Sequence, residues 1–251
     1  MQKSDFPLDD IKLALGLLTR LPVRLHDGQM DRGANAAWAF PVVGVVVGGL
    51  AALGALVAQG LGLGPAVAAG VALVLSVLAT GAMHEDGLAD SADGLWGGWD
   101  RENRLKIMKD SQIGTYGVLA LIFAVTLKWA ALSSLLTAER GVIALLLGAV
   151  LSRAAMVYVM AKLPHARTDG LSARVGRPPR DAVLVALLSA GAVALLLGWH
   201  HGVFAALIGW GLALGCAKIA KDRIGGQTGD ILGATQMVVE TGVFLTLLAL
   251  V

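Results

Sequence analysis

Seven apolar stretches, each about as long as a bilayer is thick, dominate this sequence. A helix needs about 20 mainly apolar residues to cross a membrane, and 56% of the 251 residues are hydrophobic while only 15% are charged. The sequence therefore predicts an all-α fold, a polytopic bundle of transmembrane helices with about seven spans. The predicted spans cover residues 36–59, 65–83, 116–136, 142–161, 182–199, 202–220 and 231–251.

A shorter apolar stretch precedes the first span. Residues 11–21 are too few to cross a bilayer, and Pro22 ends the stretch, so we expect a short N-terminal helix at the membrane interface. The polar start of the chain argues against a cleavable signal peptide. The single cysteine, Cys216, cannot form an internal disulfide. A net charge of +2 is too small to indicate nucleic-acid binding.

We expect one integral-membrane domain over residues 1–251, with three main polar parts. They are an N-terminal segment, an acidic segment and a second polar loop, at residues 1–35, 84–115 and 221–230. Together with residues 162–180 and 218–220, they hold 17 of the 20 basic residues. Because lysine and arginine are retained on the cytoplasmic side, these parts and the N-terminus are predicted to be cytoplasmic, in a bacterial cytoplasmic (inner) membrane.

The acidic segment follows the second predicted span. If it is helical, Asp86, Asp90 and Asp93 lie within about 60° of one another on a single face. Carboxylates this close repel one another unless a cation neutralises them, and Mg²⁺ takes oxygen ligands together with substrate phosphates. These three aspartates are therefore predicted metal ligands, with Glu85 and Asp230 in reserve. A solvated acidic helix cap is the alternative interpretation.

Cations and glycines near this segment indicate an anionic ligand. Lys109 lies close to a glycine-containing turn at residues 114–117, where a cation can bind phosphate. Residues 225–229 contain three glycines, which let backbone amides approach an anion at the start of the last span. Asp230 follows directly and is open to two interpretations, a helix cap or a metal ligand.

Five motifs follow one another along the chain. They read LTRLPV at residues 18–23, FPVVG at 40–44, HEDGLADSADG at 84–94, IMKDS with GTYG at 107–111 and 114–117, and GGQTGD at 225–230. In this order, from about residue 8 to 240, they resemble the cobalamin synthase family, which are membrane-bound adenosylcobinamide-GDP ribazoletransferases. Gln112 is a departure, because the family pattern has arginine there, and its absence removes one cation from the motif.

The resemblance implies the reaction and the metal. A hydroxyl of α-ribazole, or of its 5′-phosphate, attacks the cobinamide-linked phosphorus of adenosylcobinamide-GDP, and GMP leaves. Mg²⁺ is the implied cofactor, and His84 or a carboxylate of the cluster is the expected proton acceptor. The implied partners are these two small molecules and the lipid bilayer, and a homo-oligomer is left open. The candidate substrate-binding residues are Arg20, Lys109, Ser111, Gly226, Gln227 and Thr228.

Other classes fit the sequence less well. A CDP-alcohol transferase would have an Ala-Arg pair and a second aspartate pair, and a prenyl-diphosphate enzyme would have a second acidic cluster. A transporter would place charges at the membrane midplane. Lys128, Arg153 and Glu240 do lie inside predicted spans, at a cost of about 2.5–3.5 kcal/mol for each charge at a helix centre. They need partners or water, and both a structural and a functional role are open.

Overall fold

The computed structural model describes residues 6–26 and 28–251. Lys3, the rest of residues 1–5 and Asp27, all in the predicted N-terminal segment, lie outside the described residues. Apart from one isolated bridge, the regular structure in the described ranges is helical. The helices are α1 (Asp9–Leu18), a 3₁₀ segment (Gln29–Ala39), α2 (Phe40–Gly60), α3 (Pro65–Thr80), α4 (Met83–Gly97), α5 (Arg101–Ile107), α6 (Thr115–Thr137), α7 (Gly141–Lys162), α8 (Leu171–Val175), α9 (Arg180–Ile224) and α10 (Gly229–Ala249).

The predicted class, a polytopic helical membrane protein, is confirmed. Among the described residues, five helices are long and apolar enough to span a membrane, namely α2 with the 3₁₀ segment, α6, α7, α9 and α10. A sixth candidate is α3 together with α4, which meet at an angle of 86°. Since α9 consists of two antiparallel halves, the bundle has about the seven spans that the sequence predicts.

The two halves of α9 meet at Trp199, whose backbone is not helical (φ 43°, ψ −128°). A Cβ atom at Gly202 would collide with the carbonyl oxygen of Ala194. These two residues would be about 12 Å apart along a straight helix. Residues 180–198 and 200–224 therefore fold back against each other, in agreement with two separate predicted spans.

Small residues allow the central helices to pack closely. A Cβ atom at Gly44 would lie 2.5 Å from the carbonyl oxygen of Ala149, and one at Gly48 would lie 2.7 Å from that of Leu145. The GxxxG pattern of α2 is thus the surface that meets α7, as is typical of membrane helix pairs. Because α7 also packs against α9 and α10, it forms the centre of the bundle.

The N-terminal helix is short, as predicted. Its ten residues extend about 15 Å, which is half the thickness of a bilayer core. The buried carboxylate of Asp10 accepts hydrogen bonds from the Arg32 guanidinium, at 2.7 and 2.8 Å, and from the Trp38 indole at 2.8 Å. These bonds hold α1 against the 3₁₀ segment that leads into α2.

A tight turn separates the acidic helix from the membrane-spanning part of the chain. The predicted second span, residues 65–83, is wrong at its end, because α3 stops at Thr80. Gly81 and Ala82 both adopt the left-handed conformation (φ 65° and 58°), and this turn directs α4 away at 86°. With four carboxylates in its 15 residues, α4 is too polar to span a bilayer by itself, so α3 supplies the apolar part of the sixth candidate span and α4 lies beyond its end.

The charged residues inside the spans have neighbours of opposite charge. Lys128 of α6 donates a hydrogen bond to the Glu240 carboxylate of α10, and both side chains are buried. The Arg153 guanidinium donates to the carbonyl oxygen of Ala149 at 3.0 Å and interacts electrostatically with Glu240 and Glu85. The structure therefore gives these charges a role in joining α4, α6, α7 and α10.

Candidate active site

The acidic segment is helical, so its aspartates form the predicted stripe. Asp86, Asp90 and Asp93 lie on one face of α4, yet their environments differ. Asp86 is exposed, Asp90 is half-buried and Asp93 is buried. The stripe therefore passes from solvent into the protein along the helix, and its three carboxylates are not equivalent.

Asp93 is bound to the backbone at the start of α6. Its carboxylate accepts hydrogen bonds from the amides of Gly114, at 2.6 Å, and Gly117, at 2.9 Å. A Cβ atom at either glycine would collide with this carboxylate. The GTYG motif is thus a cradle for Asp93, which satisfies amides that a helix N-terminus leaves without partners. Each carboxylate oxygen of Asp93 keeps a second lone pair with which it could bind a metal. The role of Asp93 as a metal ligand therefore stays a prediction.

A close helix crossing brings Asp230 to the acidic stripe. A Cβ atom at Gly87 in α4 would lie 2.8 Å from the carbonyl oxygen of Asp230, and one at Gly233 in α10 would lie 3.2 Å from that of Met83. Asp230, in the first turn of α10, interacts electrostatically with both Asp86 and Asp90. The two predicted polar islands therefore form one site.

The carboxylates of this site carry more negative charge than the nearby cations neutralise. Burial, followed by the charges of Asp86, Asp230 and Asp93, raises the pKa of Asp90 to about 7. Among the residues that the structure describes, Arg167 is the cation whose charge opposes this shift. A site in which neighbouring carboxylates raise the pKa of a carboxyl in this way is one that an added cation would stabilise.

Arg167 is a site residue that sequence reasoning missed. Its Nη2 atom donates a hydrogen bond to Asp230 Oδ2 at 3.2 Å, and its Nε atom lies 3.9 Å from Asp169 Oδ1. Its Nη1 atom is buried and has no hydrogen-bond partner among the described residues. In the sequence this arginine is one of five basic residues in a loop, and nothing in its local pattern distinguishes it.

The GGQTGD motif positions Arg167. Gln227 exchanges backbone hydrogen bonds with the neighbouring loop, donating to Pro164 at 2.8 Å and accepting from Ala166 at 2.9 Å. This approach requires Gly226, because a Cβ atom there would collide with the carbonyl oxygen of Pro164. The segment just before Arg167 is therefore fixed to the start of α10.

The side chains of this motif have partners within the protein. The Gln227 amide contacts His165 Nδ1 at 2.8 Å and accepts a hydrogen bond from the Ser172 hydroxyl at 2.7 Å. Burial lowers the pKa of His165, as does the nearby charge of Arg177. The Thr228 hydroxyl caps α10 and donates to Asp230 at 3.1 Å. The predicted substrate contacts of Gly226, Gln227 and Thr228 stay predictions, while the structure gives all three a positioning role.

Lys109 lies beside Arg167. Its ammonium group donates to the exposed Asp169 carboxylate, and this bond lowers the pKa of Asp169. Asp169 thus connects two cations at the edge of the site. The neighbouring guanidinium of Arg101 donates instead to the carbonyl oxygens of Ala166 and Ile224, at 2.5 and 2.9 Å, and braces the loop.

Two other predicted substrate-binding residues lie at the surface around α4. The exposed Arg20 side chain packs over Gly81, where a Cβ atom would lie 2.6 Å from it. The Arg20 amide also donates to the carbonyl oxygen of Ala79 at 2.7 Å. Ser111 is exposed in the segment between α5 and α6. Both roles stay predictions.

His84 and Glu85 lie off the acidic stripe. His84 is about 160° around the helix from Asp86, and its buried ring nitrogens have no hydrogen-bond partner in the described part of the chain. The Glu85 Oε2 atom is also buried without a described partner, and its charge acts on Arg153 within the bundle. This placement favours a carboxylate of the stripe over His84 as proton acceptor, although neither role is tested.

The donor set fits a hard divalent cation. Asp86, Asp90 and Asp230 supply carboxylate oxygens, which Mg²⁺ prefers, and their mutual repulsion would be relieved by it. Within the ranges that the structure describes, no three histidine, cysteine, aspartate or glutamate side chains already form a metal site. The Arg167 guanidinium lies 3.2 Å from Asp230 Oδ2.

Fold and site together define a multi-pass helical membrane protein with a carboxylate-rich polar site beyond the end of its spans. Comparison with known sequences narrows this class. A family model described as cobalamin-5-phosphate synthase matches residues 10–248. The chain belongs to this family.

Curated relatives carry one name, adenosylcobinamide-GDP ribazoletransferase. The protein from Bradyrhizobium diazoefficiens is 44% identical over 246 residues, which cover 95% of this chain and 92% of the relative. The Sinorhizobium medicae protein is 42% identical over 249 residues, with 94% of each chain covered. The Rhizobium johnstonii protein is 42% identical, with 96% of each chain covered. No solved structure matches the chain.

Proposed function

We propose that the protein transfers the adenosylcobinamide-phosphate group of adenosylcobinamide-GDP to α-ribazole or its 5′-phosphate. A ribazole hydroxyl oxygen forms a bond to the phosphorus that carries cobinamide. The bond from this phosphorus to the bridging oxygen breaks, and GMP leaves with that oxygen. The product is adenosylcobalamin or its 5′-phosphate. The observation that carries the proposal is the family match over residues 10–248, with relatives of this activity at 42–44% identity.

We propose Mg²⁺ as the cofactor, held by Asp86, Asp90 and Asp230. Bound there, it would neutralise the negative charge that phosphoryl transfer develops on the phosphate oxygens. The chain's own residues supply the rest. Lys109 lies at the rim of the site, where it can bind a phosphate oxygen, and a carboxylate of the stripe accepts the proton of the attacking hydroxyl.

The activity is tested with purified protein in lipid nanodiscs, given adenosylcobinamide-GDP, α-ribazole and MgCl₂. We expect GMP and a corrinoid product in equal amounts, loss of both with EDTA, and recovery when Mg²⁺ is restored. Folding is monitored in the same samples by circular dichroism. Folded protein that releases no GMP with Mg²⁺ would contradict the proposed reaction, and turnover unaffected by EDTA would contradict the metal.

We also propose that the acidic site faces the cytoplasm of a bacterial inner membrane. The basic residues support this orientation, because 17 of 20 fall in segments that the predicted spans assign to one side of the membrane, and such segments stay cytoplasmic. In this orientation the N-terminus is inside and the C-terminus is outside. The site then opens to the compartment that holds nucleotides.

Cysteine labelling in intact cells tests the orientation. In a Cys216→Ala background, Trp99→Cys places a thiol at a highly exposed position beside α4, where 91% of the surface is accessible. We expect a membrane-impermeant maleimide to label it only after the cells are opened. Leu61→Cys, in the exposed turn between α2 and α3, is the matched control and should react in intact cells. The reverse pattern would overturn the orientation.

A further inference from the structure

The segment before Arg167 is rigidly anchored. Ala166 is fixed by its amide, which donates to Gln227, and by its carbonyl oxygen, which accepts from Arg101 at 2.5 Å. After Arg167, the chain passes through Gly170 and Gly176, both at φ 93°. The backbone that carries Arg167 is therefore held at a defined place beside α10, whereas the glycines give the following chain more freedom.

The contacts of the Arg167 guanidinium use only part of its hydrogen-bonding capacity. It makes one 3.2 Å bond to Asp230 and a longer contact with Asp169. The buried Nη1 atom has no described partner, and a buried donor without a partner destabilises the arrangement that leaves it so. Arginine presents its donors as a fork that matches two phosphate oxygens. The geometry thus suits an anion with several oxygens better than the single carboxylate oxygen it now binds.

Asp230 has two competing uses. It is bound by Arg167 and Thr228, and it is also one of the three carboxylates that a divalent cation would need. A cation that binds Asp230 releases the Arg167 guanidinium. Substrate phosphates are the other expected ligands of this cation, so the guanidinium is released at the place where they bind.

We propose that Arg167 is a diphosphate-binding residue that exchanges partners, from Asp230 in the empty protein to the substrate diphosphate when the divalent cation binds Asp230. This inference rests on the proposed function for the identity of the diphosphate. It makes binding of the cation and of the diphosphate mutually favourable, because each removes a competitor of the other. It also explains why the GGQTGD loop fixes Ala166 and Asp230 together.

Arg167→Gln tests the exchange by two effects of opposite sign. Without nucleotide, we expect Mn²⁺, measured by electron paramagnetic resonance, to bind at least as tightly as to wild type, because Asp230 has lost its competitor. The KM for adenosylcobinamide-GDP should rise about 10- to 100-fold, as for a lost charge-assisted hydrogen bond. The KM for α-ribazole should change less than about twofold. Arg167→Lys should recover part of the lost affinity.

Arg174→Gln is the matched control, since Arg174 is exposed in the same loop and should leave all three values unchanged. Weaker Mn²⁺ binding by Arg167→Gln would indicate a merely structural role and overturn the proposal. An unchanged KM for adenosylcobinamide-GDP would overturn it as well.

Binding of inorganic diphosphate without metal keeps the inference testable if Arg167→Gln does not fold or wild type shows no transfer. Asp230→Asn frees the guanidinium, so we expect this variant to bind diphosphate at least about 10-fold more tightly than wild type, as a charge-assisted bond would give. Adding Arg167→Lys to the Asp230→Asn variant should reduce this gain in affinity for diphosphate. No gain in Asp230→Asn, or an equal gain in the double variant, would overturn the exchange, whatever the outcome of the transfer assay.

Discussion

Asp90→Asn is expected to lower the rate of ribazole transfer at least about 100-fold while the protein still inserts into the membrane. Asparagine keeps the shape of the side chain but removes the charge at the middle of the acidic stripe. Replacing a residue that merely supports a metal ligand costs 10- to 100-fold, so loss of a ligand should cost at least as much. The measurement is turnover per molecule of folded protein, with saturating adenosylcobinamide-GDP and Mg²⁺.

Glu102→Gln is the control for this substitution. Glu102 is an exposed acid in α5, so its replacement changes the net charge near the site by the same amount. We expect its turnover to stay within about twofold of wild type, as is usual for surface positions. Wild-type turnover of Asp90→Asn would show that the stripe does not carry the reaction.

Glu240→Gln is expected to lower the free energy of unfolding by about 3–5 kcal/mol, the typical cost of breaking a buried ion pair. Glu240 is buried next to Lys128 and near Arg153, so its neutralisation removes the carboxylate that offsets both cations. The measurement is reversible unfolding of the purified protein in mixed micelles, followed by helix content.

The double variant Lys128→Met, Glu240→Gln distinguishes the loss of charge balance in this buried pair from a change in side-chain shape. Removal of Lys128 takes away one uncompensated cation, and we expect the double variant to recover most of the lost stability. Such a recovery is the coupling that a double-mutant cycle measures between interacting residues. Equal losses in the single and double variants would show that this pair does not join α6 to α10.

Much of the fold was predictable because it depends on local pattern. Apolar stretches of about 20 residues defined the spans, and residues 11–21 were too few to cross a bilayer, as the ten-residue α1 confirms. The sharp turn at Gly81 and Ala82 was not predicted, because Ala82 adopts a left-handed conformation that alanine rarely takes. The left-handed conformation of Ala82 thus carries no signal in the local residue pattern.

The candidate site was predictable in its residue types but not in their roles. Helical spacing placed Asp86, Asp90 and Asp93 on one face, as the structure confirms. Spacing gives no sign that Asp93 meets the amides of the GTYG turn, since that contact joins residues more than 20 positions apart. Arg167 was missed for the same reason. Its partner Asp230 is 63 residues away, and a fold is needed to bring them together.

The most direct test of this account is a Mn²⁺ titration of the metal-free protein by electron paramagnetic resonance. We expect wild type to bind Mn²⁺, with affinity falling as the pH is lowered through about 7, because the raised pKa of Asp90 lets a proton compete there. Asp86→Asn, Asp90→Asn and Asp230→Asn should each weaken binding at least about 10-fold, while Glu102→Gln should not. If all three variants bind Mn²⁺ as wild type does, the acidic stripe and Asp230 are not the metal site.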